Sequence, residues 1–276
     1  MPIGSPPLRL FTPGTAQPTA PHFIFLPGMD GTGQLIRHQL PNLQRYFDVR
    51  SLAISPDSEL SWAALTETLA QLIQQHCRAS TASPAVERPV YLCGESFGGC
   101  LALQLAAYYP HLVDRLILVN PASSFRQRFW LGWGVGVVRS LPVSLFHLSA
   151  HGLLPFLANV DRVDGPNRQD LLMAMQSVPP TSASWRIRLL MAFNTDPFPL
   201  EQMQIPTLLV ASRRDRLLPS WAEAHHLQQR ISPAEILGLP ASGHACLLEA
   251  TLNLSELLRQ KQFLPKKVVN YHLTTR

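Results

Sequence analysis

The chain has 276 residues, of which 46% are apolar and 15% charged, and its formal net charge is +5. That composition can bury a sizeable core, which excludes disorder for most of the chain, and the length allows one large α/β domain or two small ones. The positive charge lacks the dense Lys/Arg stripe that tracks a phosphate backbone, so no nucleic-acid partner is expected, while attraction to an anionic lipid surface stays open.

In chain order, the first 21 residues are rich in proline and lack the basic start and apolar stretch of a secretory signal. "PLRLFT" (7–12) and "HFIFLPG" (22–28) read as strands, and "GQLIRHQLPNL" follows as a short helix. "VRSLAI" (49–54) is a third strand. In "DSELSWAALTETLAQLIQQHC", residues Trp62, Leu65, Leu69, Leu72 and Ile73 share one helical face, with Ser58 as the expected N-cap. "VYLCG" (90–94) is a strand that runs into a helix ending at "YYP". "RLILVN" (115–120), "PTLLVAS" (206–212) and "EILGLP" (235–240) are three more strands. Continuous apolar strands separated by helices predict a mainly parallel sheet with helices on both faces. In such a sheet the chemistry gathers at the carboxyl ends of the strands. The cysteines Cys77, Cys93, Cys100 and Cys246 fall in or beside apolar runs at no metal-like spacing. Buried free thiols in a reducing compartment account for them, so the protein reads as cytoplasmic.

Residues 121–200 break the rhythm and predict a helical cap set into a core made of 1–120 and 201–276. The segment is rich in Pro, Trp, Phe and Leu, and from Ser140 to Val160 it carries no formal charge. That is about the length of a membrane span. Pro142, Gly152 and Pro155 interrupt it, and His147 and His151 would fall inside it. A helical insertion whose apolar side faces a cavity is the better reading, with peripheral membrane contact through it left open. Trp130, Trp133, Phe146 and Phe156 are the residues expected to line an acyl site there, although packing of cap on core would use the same side chains.

Gly94-Glu95-Ser96-Phe97-Gly98 lies between a strand and a helix, the setting of a nucleophile elbow. Glycines are needed because side chains there would strike the neighbouring strand and helix. Serine is a weak nucleophile until a base takes its proton and an acid orients that base. His244, on a loop after the last strand, is the best base; His225 and His226 sit within a helix and suit a solvated face. Asp215 follows the strand 206–212 and is the best acid, ahead of Asp114 and Asp196. The glycine turn in "FLPGMDGTG" (25–33) can aim backbone N–H groups at a developing oxyanion. The amides of Met29 and Phe97 are the expected donors. The spacing fits neither a P-loop nor a GxGxxG turn.

Together these motifs resemble the α/β-hydrolase superfamily over nearly the whole chain, in the order Ser, Asp, His. Pro27-Gly28 stands where many members have His-Gly, which leaves the main-chain donor in place. "FLPGMDGTG" with "GESFGG" is similar to the hydrolase domain of the plastid and cyanobacterial esterase/lipase/thioesterase group, which includes phytyl ester synthases. The resemblance implies an enzyme that handles acyl esters, with no metal or organic cofactor. The expected substrate is a lipophilic ester or thioester with a long acyl or prenyl part. Those relatives usually carry an acyltransferase domain with a His-x4-Asp motif, which is absent here. Acyl transfer to a lipid alcohol and carbon–carbon hydrolysis use the same three residues and stand as alternatives, the latter drawing on Arg126, Arg128, Arg186 or Arg188 for a carboxylate. A lipid-binding module on an inactive scaffold is disfavoured because every catalytic part is present.

Overall fold

All seven apolar runs become strands of one sheet in the computed structural model, which describes residues 6–78, 88–128 and 151–265. They are β1 (Leu8–Phe11), β2 (His22–Leu26), β3 (Asp48–Ile54), β4 (Val90–Glu95), β5 (Arg115–Val119), β6 (Thr207–Ser212) and β7 (Ala234–Leu239). Their spatial order is β1-β3-β2-β4-β5-β6-β7, with β1 antiparallel to β3 and every other pairing parallel.

The strands read as unbroken apolar runs because both faces of the sheet are covered. Ile24, Leu26, Leu92, Leu116, Leu118 and Leu209 point into one core. Their neighbours Phe23, Phe25, Cys93, Ile117, Val119 and Leu208 point into the other. The first core is closed by α2 (Trp62–Ile73), α3 (Phe97–Tyr108) and α6 (Ser220–Arg230). The second is closed by the short α1 (Leu40–Leu43) with the 3₁₀ turn before it, and by α7 (Leu254–Gln260). The N-cap of α2 is Ser61 and not the expected Ser58: the Ser61 hydroxyl accepts from the Ala64 N–H, whereas Ser58 is buried in the preceding turn. Both serines satisfy the capping preference, and the turn Ser55–Ser58 delays the helix start by one turn.

Between β5 and β6 the described residues hold helical turns at 122–127 and 151–157, then α4 (Gly165–Gln176) and α5 (Pro180–Ala192). Among the described residues no helix is long and apolar enough to cross a membrane. The chain order reverses at the β2–β4 pair, since β3 lies beyond β2 and β5 beyond β4. In an open parallel sheet that is where a crevice forms outside the strand carboxyl ends.

Candidate active site

Ser96 stands at the end of β4, beside that crevice. Its φ of 51° and ψ of −113° lie in a region that side chains other than glycine rarely occupy. The strain is held by neighbours on both sides. The Ser96 N–H donates to Val119 O at 3.0 Å, and the Ser96 carbonyl accepts from the N–H groups of Gly99 (2.9 Å) and Ala122 (3.0 Å). A Cβ on Gly98 would collide with the Leu26 carbonyl of β2, and one on Gly94 with the Gly98 carbonyl of α3. The turn is therefore as tight as backbone permits.

His244 sits after β7 and Asp215 after β6, and the structure brings both to Ser96. His244 Nε2 lies 2.8 Å from Ser96 Oγ and His244 Nδ1 lies 2.7 Å from Asp215 Oδ2. An ionised carboxylate only accepts, so Nδ1 carries the imidazole proton and Nε2 is free to accept from the serine hydroxyl. Asp215 is fixed by its own turn: Oδ1 accepts from the Leu217 and Leu218 N–H groups at 2.9 Å, and Oδ2 from Ser220 Oγ at 2.5 Å. Burial alone would raise the Asp215 carboxyl, but His244 and these donors hold it below the usual carboxylate range. Burial alone would depress the His244 imidazole, yet Asp215, with a smaller contribution from Glu95, raises it above the ordinary histidine value.

Phe97 opens α3, so its N–H has no intrahelical acceptor. The Gly28–Gly31 turn, closed by Gly31 N–H donating to Gly28 O at 3.1 Å, approaches Ser96 from the side of β2. A Cβ on Gly28 would lie 3.7 Å from Ser96 Cβ. Among the described residues neither the Met29 nor the Phe97 N–H has a hydrogen-bond acceptor.

The rival candidates lie elsewhere. His225 and His226 are exposed on α6. Asp114 holds the start of β4 through the Val90 N–H and pairs with Arg78, and Asp196 is an exposed partner of Arg126. Phe156, half exposed, lines a cavity of about 330 Å³ with Asn159, Arg162, Arg214 and Gly243. Trp130, Trp133 and Phe146 lie outside the described residues.

Four polar residues at the site draw on contacts that the sequence does not display. Asn120, at the end of β5 with φ 43°, is fully buried. Its Nδ2 donates to His244 O (2.7 Å) and Ser212 Oγ (2.9 Å), while its Oδ1 accepts from the Ser212 N–H. It thereby ties β5 and β6 to the histidine loop, and its place just past a strand is the one signal that could have flagged it. Glu249, buried, accepts from Gly243 N–H (3.0 Å), Ser242 Oγ (2.9 Å) and Arg162 Nε (2.6 Å). The same loop is held from the β5–β6 segment by Ala245 N–H to Leu157 O, Asn159 Nδ2 to Ala241 O, Ala250 N–H to Arg162 O and Asn167 Nδ2 to Leu248 O. Glu95, also buried, is pushed by burial up to about 7; His244 opposes that rise and Asp30 adds to it. Arg186, on α5, is buried against the Gly28–Gly31 turn.

Comparison with known proteins agrees with this architecture. The chain is 27% identical to phytyl ester synthase 1, chloroplastic, of Arabidopsis thaliana across 93% of its own length. It spans only 39% of that relative, and 42% of the second chloroplastic phytyl ester synthase of the same plant. It is 30% identical to a pimeloyl-[acyl-carrier protein] methyl ester esterase of Nitrosomonas europaea over 57% of this chain and 65% of that one. A thermophilic esterase from Thermogutta terrifontis shares the fold with a TM-score of 0.70 at 17% identity, covering 92% of both chains. A model of the alpha/beta hydrolase family matches residues 18–253, and with esterases and ester synthases among its relatives the chain belongs to that family.

Proposed function

We propose that the protein is a serine hydrolase of carboxylic esters or thioesters with a long apolar acyl or prenyl part, working through an acyl-enzyme on Ser96. The observation that carries this reading is the continuous chain Ser96 Oγ–His244 Nε2–His244 Nδ1–Asp215 Oδ2, at 2.8 and 2.7 Å, on a strained elbow. In the proposed cycle His244 Nε2 takes the hydroxyl proton as Ser96 Oγ attacks the carbonyl carbon. The carbonyl oxygen becomes an oxyanion facing the Met29 and Phe97 amides, which have no other acceptor among the described residues and so suit that charge. Asp215 stabilises the imidazolium. His244 then gives the proton to the leaving oxygen or sulfur, and the acyl group stays on Ser96. Water, deprotonated by the same imidazole, attacks the acyl-enzyme and releases the acid.

Residues 121–200 are read as the cap that shapes the acyl site, with Trp130, Trp133, Phe146 and Phe156 as its apolar lining. The apolar composition of 129–157 supports a lipid-sized substrate. A second reading, acyl transfer to a lipid alcohol, is favoured by the burial of Ser96 and His244, only 7% and 4% exposed. A dry site lets an alcohol outcompete water for the acyl-enzyme. The relationship to phytyl ester synthases points the same way.

The test is labelling with a fluorophosphonate, followed by nitrophenyl esters from acetyl to octanoyl, each with and without a long-chain alcohol. Ser96→Ala should abolish labelling and turnover with the fold intact; labelling retained at another serine would overturn the assignment. Each buried methylene is worth about 0.8 kcal/mol, or about fourfold, so kcat/KM should climb steeply with chain length. A preference for acetyl over octanoyl esters would end the lipid reading. Ester formed from the added alcohol would decide for transfer.

A further inference from the structure

Arg186 is the largest fully buried side chain among the described residues. It projects from α5, which is docked on the core by Trp185 Nε1 donating to Leu60 O (3.1 Å), Trp62 Nε1 donating to Leu189 O (2.7 Å) and Ser182 Oγ donating to Pro56 O. A guanidinium so placed is expensive to desolvate, and such groups normally sit in a bidentate ion pair. Here there is none. Arg186 Nη1 donates to the Met29 carbonyl at 2.5 Å, the buried Nε has no partner, and the ring of Trp185 lies 5.7 Å away. Burial lowers the group to about 10, with Asp30 opposing, so it remains a cation at neutral pH.

What the guanidinium does touch is the turn next to the nucleophile. Gly31, with φ +65°, lies flat against it: a Cβ there would come within 2.7 Å of Arg186 Cζ. The chain thus runs in four residues from Gly28, at Ser96, to Gly31, at Arg186. Gly31 N–H closes the turn onto Gly28 O, and Gly31 O accepts from the Ile54 N–H at 2.8 Å. Asp30 Oδ2 is occupied by the N–H and hydroxyl of Thr32. Among the described residues the Met29 amide has no acceptor, and the Met29 carbonyl accepts from Arg186 alone.

We propose that Arg186 is the positioning residue of the oxyanion turn: it fixes Met29 through its carbonyl and sets a permanent positive charge behind the point where the oxyanion forms. This rests on the serine-hydrolase reading above. It assigns to α5, outside the sheet and the three reacting side chains, a share of transition-state stabilisation. A fixed charge in a water-poor site acts on the developing anion without reorganising, whereas the neutral ester feels it little. The effect therefore belongs in kcat and not in KM.

The experiment compares wild type, Arg186→Met and Arg186→Lys in the full chain. All rates are expressed per site titrated with fluorophosphonate, so that misfolded protein drops out. Turnover of a nitrophenyl ester is measured beside inhibition by a trifluoromethyl ketone, which adds to the serine as an oxyanion, and by the matching secondary alcohol, which cannot. Arg186→Met should lower kcat on the order of 10²-fold, the size of losing one oxyanion donor, with KM nearly unchanged. Its affinity for the trifluoromethyl ketone should fall in parallel while alcohol binding holds. Arg186→Lys, which keeps the charge, should recover part of both losses. A structural role alone would lower the number of titratable sites and leave these per-site quantities as in wild type, and that result overturns the proposal. Should Arg186→Met not fold, Arg186→Gln keeps an N–H for Met29 without the charge and carries the same comparison. A wild type that takes no fluorophosphonate at Ser96 refutes the serine-hydrolase reading; a labelled wild type matched by Arg186→Met refutes only the role of Arg186.

Discussion

Glu95→Gln should make the fold more stable in alkali and change little in acid. Glu95 is buried at the end of β4, and burial holds its carboxyl at about 7 against an ordinary value of 4.5. Between those two values the folded chain keeps a proton that the unfolded chain has released. Raising the pH through this window therefore favours the unfolded state. The contribution is fully present below 4.5 and is lost as the pH climbs through 7. At about 1.4 kcal/mol per pH unit, the window removes about 3 kcal/mol, a large part of a typical domain's stability. Glutamine has the same shape and never ionises, so the variant escapes this loss. Urea unfolding of both proteins at a series of pH values, followed by tryptophan fluorescence, measures the difference directly. Subtracting one curve from the other cancels the remaining carboxylates, provided the two m-values agree. The difference should open by about 3 kcal/mol from acid to mild alkali. A flat difference would refute the reasoning, because it would mean that water or a cation already solvates Glu95.

Four further outcomes follow from the same geometry. The kcat/KM of the wild type should rise with pH through one ionisation above the ordinary histidine value, because Asp215 favours the imidazolium and only the neutral ring accepts a proton. Asp215→Asn should cost on the order of 10⁴ in kcat and move that limb to lower pH; greater damage from Asp196→Asn would show the acid to be misassigned. Gly98→Ala should prevent labelling of Ser96, since the new Cβ meets the backbone carbonyl of Leu26, which cannot rotate aside; a fully labelled, stable Gly98→Ala protein would contradict the packing described. Asn120→Ala should leave buried acceptors on the histidine loop unpaired, at about 1–3 kcal/mol of stability, and lower kcat more than it raises KM; unchanged kcat would mean that the loop is held without it.

The strands and the meeting of Ser96, Asp215 and His244 were legible for the same reason. A doubly covered parallel sheet writes itself as solid apolar runs, and the reactive side chains follow those runs at their carboxyl ends, as Ser96, Asp215 and His244 do. The glycines of the elbow could be justified beforehand because their collisions are local. The cap of α2 was displaced because Ser58 and Ser61 carry the same local signal, and the Ser55–Ser58 turn takes up the first of them. Asn120, Glu249 and the posture of Arg186 were out of reach for a different reason. Each acts on a partner 87 to 157 residues away, measured from Glu249–Arg162 to Arg186–Met29, and neither periodicity nor motif spacing reports such pairings. Arg186 stood among several arginines of equal standing until its carbonyl partner was seen.

Beside the bonds from Asn120 at the end of β5, the His244 loop is held by residues 157–167, through Leu157, Asn159, Arg162 and Asn167. This has a consequence for how such enzymes can be recombined. A chimera that takes the whole β5–β6 segment from another family member, with joints at the strand ends, would import foreign partners for Ala241, Ala245, Leu248 and Glu249. The natural unit of exchange joins 151–167 with 241–251, two stretches far apart in the gene and contiguous in space. Variation in one is constrained by the other, so a change acquired in this segment has to be accommodated by the strand-end loop that carries His244.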